Sequence, residues 1–283
     1  MKTFFDRLWL GLTRKWKKSL LTLVAAYGSL WSLIEPYNGL VPKTLQIDGV
    51  DKYMFLVGAA IAIALWKLFP KTRISLSLHL SDTTVDVLFG DLFSEAGQKA
   101  IPVNDCFDSQ IGKIVAANSL HGLFISRVFH GVAKDFEDVI NPALAKANGI
   151  PCARPDGGKQ LRYPIGTTAA IRWEGDYFYL VAIAATDGVT SIASSSVAEY
   201  WQALEGLWKS VRINSNNGDV VVPLLGSGLA RVGLPQDQLL FFLISSFIAE
   251  TKRLKVTQHL KIVLHESAFE RIDLSEFERN WSS

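Results

Sequence analysis

Asp219-Val-Val-Val-Pro223-Leu-Leu-Gly226-Ser-Gly228-Leu-Ala-Arg231-Val-Gly-Leu-Pro235 is a run of strand-forming residues that stops in a glycine-rich loop. An apolar helix is predicted to begin near Pro235. Backbone N–H groups and the positive end of that helix converge on the loop, an arrangement that accepts an anion such as a phosphate. The same residues also fit a tight strand-to-helix turn in any α/β protein, so both readings stay open for this stretch alone.

Working outward, 283 residues suffice for one sizeable domain with an appendage, or for two small domains. A hydrophobic share of 49% argues against a chain embedded in membrane throughout, and a net charge of +2 gives no reason to expect nucleic acid as a partner. Cys106 and Cys152 form neither a metal-ligand spacing nor a disulfide framework, which fits a reducing compartment. His79, His121, His130, His259 and His265 are scattered, none in a metal-binding spacing. Of these only His265, beside Glu266 at a strand's end, is placed to be watched.

The N-terminal third has a different character. Residues 1–18 mix Phe4, Phe5, Leu8, Trp9, Leu10 and Leu12 with Lys2, Arg7, Arg14, Lys15, Lys17 and Lys18, as a basic membrane-surface segment does. Two uncharged runs follow, Ser19 to Ile34 and Tyr53 to Trp66, and they predict a transmembrane hairpin over residues 19–73, with helices at about 19–37 and 53–69. The first run makes about 24 Å of helix against a hydrocarbon core of about 30 Å, and Trp16 and Tyr37 can extend it as interfacial anchors. A signal peptide would also open on a charged region, but no small-residue cleavage pattern follows, and Glu35-Pro36-Tyr37-Asn38-Gly39 reads as a turn; helices of a buried core are the other alternative, since both runs are short for a span. The excess of basic residues outside the runs predicts a two-pass protein of an inner or plasma membrane with both termini cytoplasmic. Gly58, Ala59 and Ala62 make a small-residue face through which helices can approach, so self-association into a homo-oligomer is expected.

From Ile74 the pattern becomes strict alternation, with Ile74, Leu76, Leu78 and Leu80 on one face and a second strand at Thr84 to Phe89. Further strands are predicted at Lys99 to Val103, Thr168 to Trp173, Tyr177 to Ala184, Val220 to Pro223 and Leu260 to Leu264. Helices are predicted at Asn118 to Phe129, Val132 to Asn148, after the Ser196 to Glu199 capping box, at Gln238 to Ala249 and at Ala268 to Trp281. The tryptophans Trp201 and Trp208 share an apolar helical stripe and read as packing. Strands alternating with helices give an α/β fold: a mostly parallel sheet with helices on both faces over residues 74–283. Ligands of such sheets sit beyond the strands' C-terminal ends, where Gly90-Asp91, Asn104-Asp105 and the Gly226 loop all fall. That joint placement favours the phosphate reading of the opening stretch.

Gly90-Asp91-Leu92-Phe93 after a strand, Ile101-Pro102-Val103-Asn104 on the next, and Val222-Pro-Leu-Leu-Gly226-Ser-Gly-Leu-Ala230 late in the chain resemble the macro domain, an ADP-ribose-binding fold. With two membrane helices in front, the chain resembles the transmembrane macro effectors of type II Thoeris anti-phage defence. The resemblance implies a macro-like three-layer fold and a sensor whose ligand is an ADP-ribose-type conjugate made from NAD by a TIR-domain partner. It also implies action on the lipid bilayer and growth arrest. Asp91 would take the adenine amino group, Asn104 would lie near the distal ribose, and Gly226, Ser227, Gly228, Leu229 and Ala230 would wrap the diphosphate, with Arg231 free to add charge or to remain solvated.

Two departures from hydrolytic macro domains bear on activity. Their paired asparagines survive only as Asn104, followed by Asp105-Cys106-Phe107, and no triple glycine precedes the first helix of the domain. The expectation is therefore a ligand-binding effector with no catalytic residues, no metal and no cofactor. The alternative is a membrane-anchored ADP-ribosyl hydrolase.

Overall fold

The computed structural model describes residues 9, 12–13, 16–43, 49–78 and 82–281. Most of the basic segment 1–18, together with His79 and Leu80, lies outside the described residues. The chain divides into two compact units, Met1–Lys71 and Thr72–Ser283.

The first unit holds two helices that pack on one another, α1 (Trp16–Leu40) and α2 (Gly49–Leu68). Tyr27 and Tyr53 meet edge to face between them, at 6.2 Å. The turn expected at Glu35 to Gly39 is helical instead, because α1 runs through Pro36 to Leu40. Pro36 removes one N–H donor, but Trp31 Nε1 donates to Glu35 at 2.9 Å on the helix surface and Val41 N–H still reaches the Tyr37 carbonyl at 3.2 Å. The helices expected as membrane spans thus form, yet among the described residues no helix is long and apolar enough to cross a membrane. Glu35, Pro36 and Asn38 make the end of α1 polar, and the uncharged part of α2, Tyr53 to Trp66, is only about 21 Å long.

The second unit is built on one sheet. Its strands, in chain order, are β1 (Arg73–Leu78), β2 (Thr83–Phe89), β3 (Gln98–Asn104), β6 (Thr168–Trp173), β7 (Asp176–Thr186), β8 (Ala193–Ser194), β9 (Val220–Pro223) and β10 (His259–Leu264). Two short strands, β4 (Ile150–Pro151) and β5 (Leu161–Arg162), pair separately. The main order is β1-β2-β10-β9-β3-β7-β6, with β8 added on β7. The pairs β2–β10, β10–β9, β9–β3 and β3–β7 are parallel, while the outer strands β1 and β6 run antiparallel. The β6–β7 hairpin turns at Glu174 and Gly175, both at positive φ, as a two-residue turn requires.

Alternation along each central strand feeds two separate cores. Tyr179, Val181 and Ile183 of β7 and Val220 and Val222 of β9 face one side, where they meet α5 (Val197–Asn214) and α6 (Gln236–Arg253) through Leu204, Trp208, Leu243 and Phe247. Phe178, Leu180 and Ala182 of β7 and Val221 of β9 face the other, against Phe124 of α3 (Leu120–Val128) and Phe136 and Ile140 of α4 (Ala133–Leu144). This is the expected three-layer arrangement. Trp208 is fully buried and donates to Ser246 at 2.9 Å, so it packs as its position in the stripe predicts. The capping box is complete: Ser196 accepts from the Glu199 N–H, and Glu199 accepts from the Ser196 N–H.

Several helix ends differ from the sequence reading, and α6 runs on past Ala249 to Arg253. α4 stops at Leu144 rather than Asn148, where the Ala145 N–H turns to the Pro142 carbonyl at 3.2 Å in an i to i−3 bond that closes the helix. The closing helix is split into a 3-10 turn at Glu266–Glu270 and α7 (Leu274–Trp281), because Asp273 accepts from Ser275 N–H and starts a new helix there.

Candidate functional site

Because β2, β10, β9, β3 and β7 are mutually parallel, their C-terminal ends share one edge of the sheet. A cleft of about 970 Å³ opens along that edge. Asp91, Asn104 and the Gly226 to Arg231 loop all line it, so the structure brings the residues singled out from sequence to one place. The loop from Gly112 to Ser119, leading into α3, lines the cleft as well, at the position where sequence reasoning found no triple glycine.

Asp91 follows β2 and caps the 3-10 turn Leu92–Ser94, accepting from the Phe93 N–H at 3.3 Å. Its other oxygen accepts from Arg127 Nη1 at 2.7 Å. Arg127 comes from the last turn of α3, where a cation suits the helix's negative end, and its guanidinium lies over the Phe93 ring at 5.0 Å. Both charged groups are about half exposed, so the pair contributes little to stability and remains open to a ligand. Arg127 escaped the sequence reading because nothing local links it to Asp91.

Asn104 ends β3 at a register shift against β7. Its amide is not simply presented to the cleft. The Nδ2 group donates to Asp108 at 2.7 Å, and Oδ1 accepts from the Asp108 N–H at 3.1 Å. Asp108 in turn accepts from Arg154 and from the Lys159 N–H at 2.8 Å. Arg154 also forks onto Asp156, and Asp156 accepts from the Ser191 hydroxyl at 2.7 Å. A buried polar chain therefore runs from the end of β3 to the loop after β7, and both ends line the cleft. Burial opposes the Arg154 charge, but Asp156 and Asp108 outweigh it and raise its pKa above the ordinary value. Hydrogen bonding from Arg154 holds Asp156 well below the usual carboxylate range. Between them, burial raises Asp105, and burial together with the neighbouring carboxylates pushes the Cys106 thiol up to about 12. The sequence signals were present as Asp105, Asp108 and the Arg154-Pro-Asp156-Gly-Gly loop, but their pairing was not.

The Gly226 loop divides into two roles. Gly226 is buried at φ +78°, and a Cβ there would lie 2.9 Å from Val232 and 3.2 Å from Tyr200. Its glycine therefore serves the turn and the packing behind it. At Gly228, by contrast, a Cβ would meet nothing within 4 Å. Ser227 turns its hydroxyl back to the Leu224 carbonyl at 2.6 Å. Ala230 is buried, while Leu229 and Arg231 are exposed. Behind the loop, a smaller recess of about 390 Å³ is lined by Arg231, Arg271 and the start of α6.

Among the described residues the histidines do not form a site. His265 lines the cleft, but its Nδ1 accepts from the Ser267 N–H and caps the 3-10 turn after β10. His259 lies between Asp86 and Asp219 at the opposite ends of the strands. His121, in the first turn of α3, is buried with no partner on Nε2, and burial, with the Lys159 charge, pushes its imidazole down to about 3. Among the described residues no group of three or more His, Cys, Asp or Glu is placed to hold a metal ion.

The model of a known family, Thoeris protein ThsA, macro domain, matches residues 85–265. Thoeris protein ThsA of Bacillus amyloliquefaciens (strain Y2) is 25% identical over 241 residues, which span 80% of this chain and 79% of that protein. Among solved structures, an Oceanobacillus iheyensis macrodomain with ADP superposes with a TM-score of 0.50 at 11% identity, covering 74% of this chain and 98% of its own. A glycine-to-valine mutant of that macrodomain with ADPR gives a TM-score of 0.51 at 11% identity, covering 75% and 100%. At such identity these two establish a shared fold.

Proposed function

The chain belongs to the family of Thoeris ThsA macro domains, and on that premise we propose that its cleft binds an ADP-ribose-type nucleotide as the trigger of anti-phage defence. The observation that carries this reading is the convergence of Asp91, Asn104 and the Gly226 to Arg231 loop on one cleft at the C-terminal edge of the sheet. Gly228 leaves room for a diphosphate beside backbone N–H groups, and Asp91 offers a carboxylate acceptor. The signal is a conjugate made from NAD by a TIR-domain partner.

The protein acts as a ligand-gated effector rather than an enzyme. Asn104 holds Asp108 through one amide donor and its oxygen, which leaves one N–H for a ligand, while Cys106 is buried with its thiol held protonated and so is not a nucleophile. Binding shifts the protein toward an assembled state through its differential affinity for the two states. The helices α1 and α2 hold it at the inner membrane, and the assembled state disrupts the bilayer. In support of that role, Leu20, Leu21, Val24, Leu33, Phe55 and Trp66 are all exposed on these helices.

Calorimetry on the full-length protein with ADP-ribose, followed by chromatography of the nucleotide, tests the site. Binding without consumption is expected; steady consumption would favour an ADP-ribosyl hydrolase, and no binding would remove both readings. Dye entry into cells expressing the protein with and without the TIR-domain partner tests the effector step. Equal dye entry in the two cases would remove membrane disruption.

A further inference from the structure

We propose that Arg127 works with Asp91 as a two-residue reader of an adenine base, an inference that rests on the nucleotide-binding reading above. Asp91, Phe93 and Arg127 all line one end of the cleft. The Arg127 Nη1 to Asp91 Oδ2 bond of 2.7 Å sets a pure donor beside a pure acceptor at a fixed spacing. The Phe93 ring, 5.0 Å from the guanidinium carbon, supports one face of the fork and restricts its plane.

Neither partner is saturated by this pairing. The ion pair takes one of the five N–H donors of a guanidinium, and the second Asp91 oxygen receives only the long 3.3 Å bond from the Phe93 N–H. An adenine edge carries the complementary set, an exocyclic amino donor next to a ring-nitrogen acceptor. The amine donates to Asp91 while the ring nitrogen accepts from Arg127. On its Watson–Crick edge hypoxanthine reverses both groups, setting a carbonyl oxygen against the Asp91 carboxylate and an N1–H against the Arg127 N–H, so each contact loses its match. Selection for adenine thus comes from the pair rather than from Asp91 alone. Because Arg127 is half exposed at the end of a helix, replacing it leaves the fold in place.

The test is calorimetric titration of the full-length protein with ADP-ribose and with its hypoxanthine counterpart. Wild type is expected to bind ADP-ribose about ten- to a hundredfold more tightly, the range for a good bidentate base contact. In Arg127→Met only the Asp91 contact still discriminates, so the gap should shrink at least about threefold, with an unchanged melting temperature. Arg127→Lys keeps the charge beside Asp91 without the planar fork, so its gap should fall between the two. An undiminished gap in the methionine variant would overturn the proposal, and so would full wild-type selectivity in the lysine variant. If wild type bound neither nucleotide, the nucleotide-binding reading itself would fall, and this one with it.

Discussion

Arg154 places both terminal nitrogens 3.1 Å from one oxygen of Asp108, and that same oxygen holds the Asn104 amide. The Arg154 and Asp108 side chains are at most 1% exposed, so their charges are paired directly with each other, and that of Arg154 also with Asp156. Removing one partner of such a group strands the other. Arg154→Met is expected to destabilise the α/β unit by about 3–5 kcal/mol, measured by urea unfolding followed through the buried Trp208. A milder variant, Ser191→Ala, removes only the hydroxyl bond from the cleft loop to Asp156. It should cost about 1 kcal/mol or less in stability while weakening nucleotide affinity. Unchanged affinity in Ser191→Ala would show that the network supports the fold and not the cleft.

Gly226 and Gly228 separate packing from access. Gly226→Val forces a β-branched side chain into φ +78° and within 2.9 Å of Val232, so a loss of at least about 1–3 kcal/mol is expected from backbone strain alone. Gly228→Val meets open space and should leave the melting temperature within about 2 °C of wild type, while a phosphate approaching that backbone would be blocked. Normal ADP-ribose affinity in the Gly228 variant would mean that the diphosphate lies elsewhere.

The acid stability of the α/β unit carries a signature of His121. Its imidazole is held neutral, with a pKa lowered to about 3 against an ordinary value of 6.5. Between those values the unfolded chain binds a proton that the folded chain refuses, so stability falls as pH is lowered from 6.5 toward 3. The slope from this residue is about 1.4 kcal/mol per pH unit once below the unfolded value, or about 2 kcal/mol lost by pH 5. His121→Leu removes both the titration and the unpartnered Nε2. Unfolding curves at pH 7 and pH 5 should therefore differ less in that variant. An equal pH dependence in wild type and variant would assign the acid sensitivity to other groups.

What could be read from sequence, and what could not, follows the range of the interactions. Strand positions such as Thr168–Trp173 were legible because burial alternates with a period of two, and the Ser196 to Glu199 cap because both partners lie within one turn. Asp91, Asn104 and the Gly226 loop were legible as strand-end residues, since parallel strands bring such ends to one edge whatever the intervening chain does. The charges that complete the site were not legible. Arg127 lies 36 positions from Asp91 and Arg154 lies 46 from Asp108, and only the crossovers of the sheet bring them together. The role of Gly226 was hidden for the same reason, because the atoms that forbid a side chain there belong to Tyr200, Val232 and Leu239. Pro36 misled in the other direction: a local turn signal yields when the flanking residues favour helix strongly enough.

The face of α2 available for self-association can be tested without disturbing the helix pair. Leu56, Ala60 and Ala64, one turn apart, are buried, whereas Gly58 and Ala62 are exposed and a Cβ on Gly58 would meet nothing within 4 Å. Leucine at Gly58 and Ala62 is thus accommodated within one chain and removes a Gly from the helix interior, which favours the helix by up to about 1 kcal/mol. Between chains the same leucines hold two backbones apart, because close helix approach in an apolar medium depends on small residues at the contact. The Gly58→Leu, Ala62→Leu variant is expected to retain ADP-ribose binding, to form smaller assemblies in detergent by light scattering and to lose ligand-dependent dye entry in cells. Assemblies of wild-type size in the variant would show that the copies meet through another face.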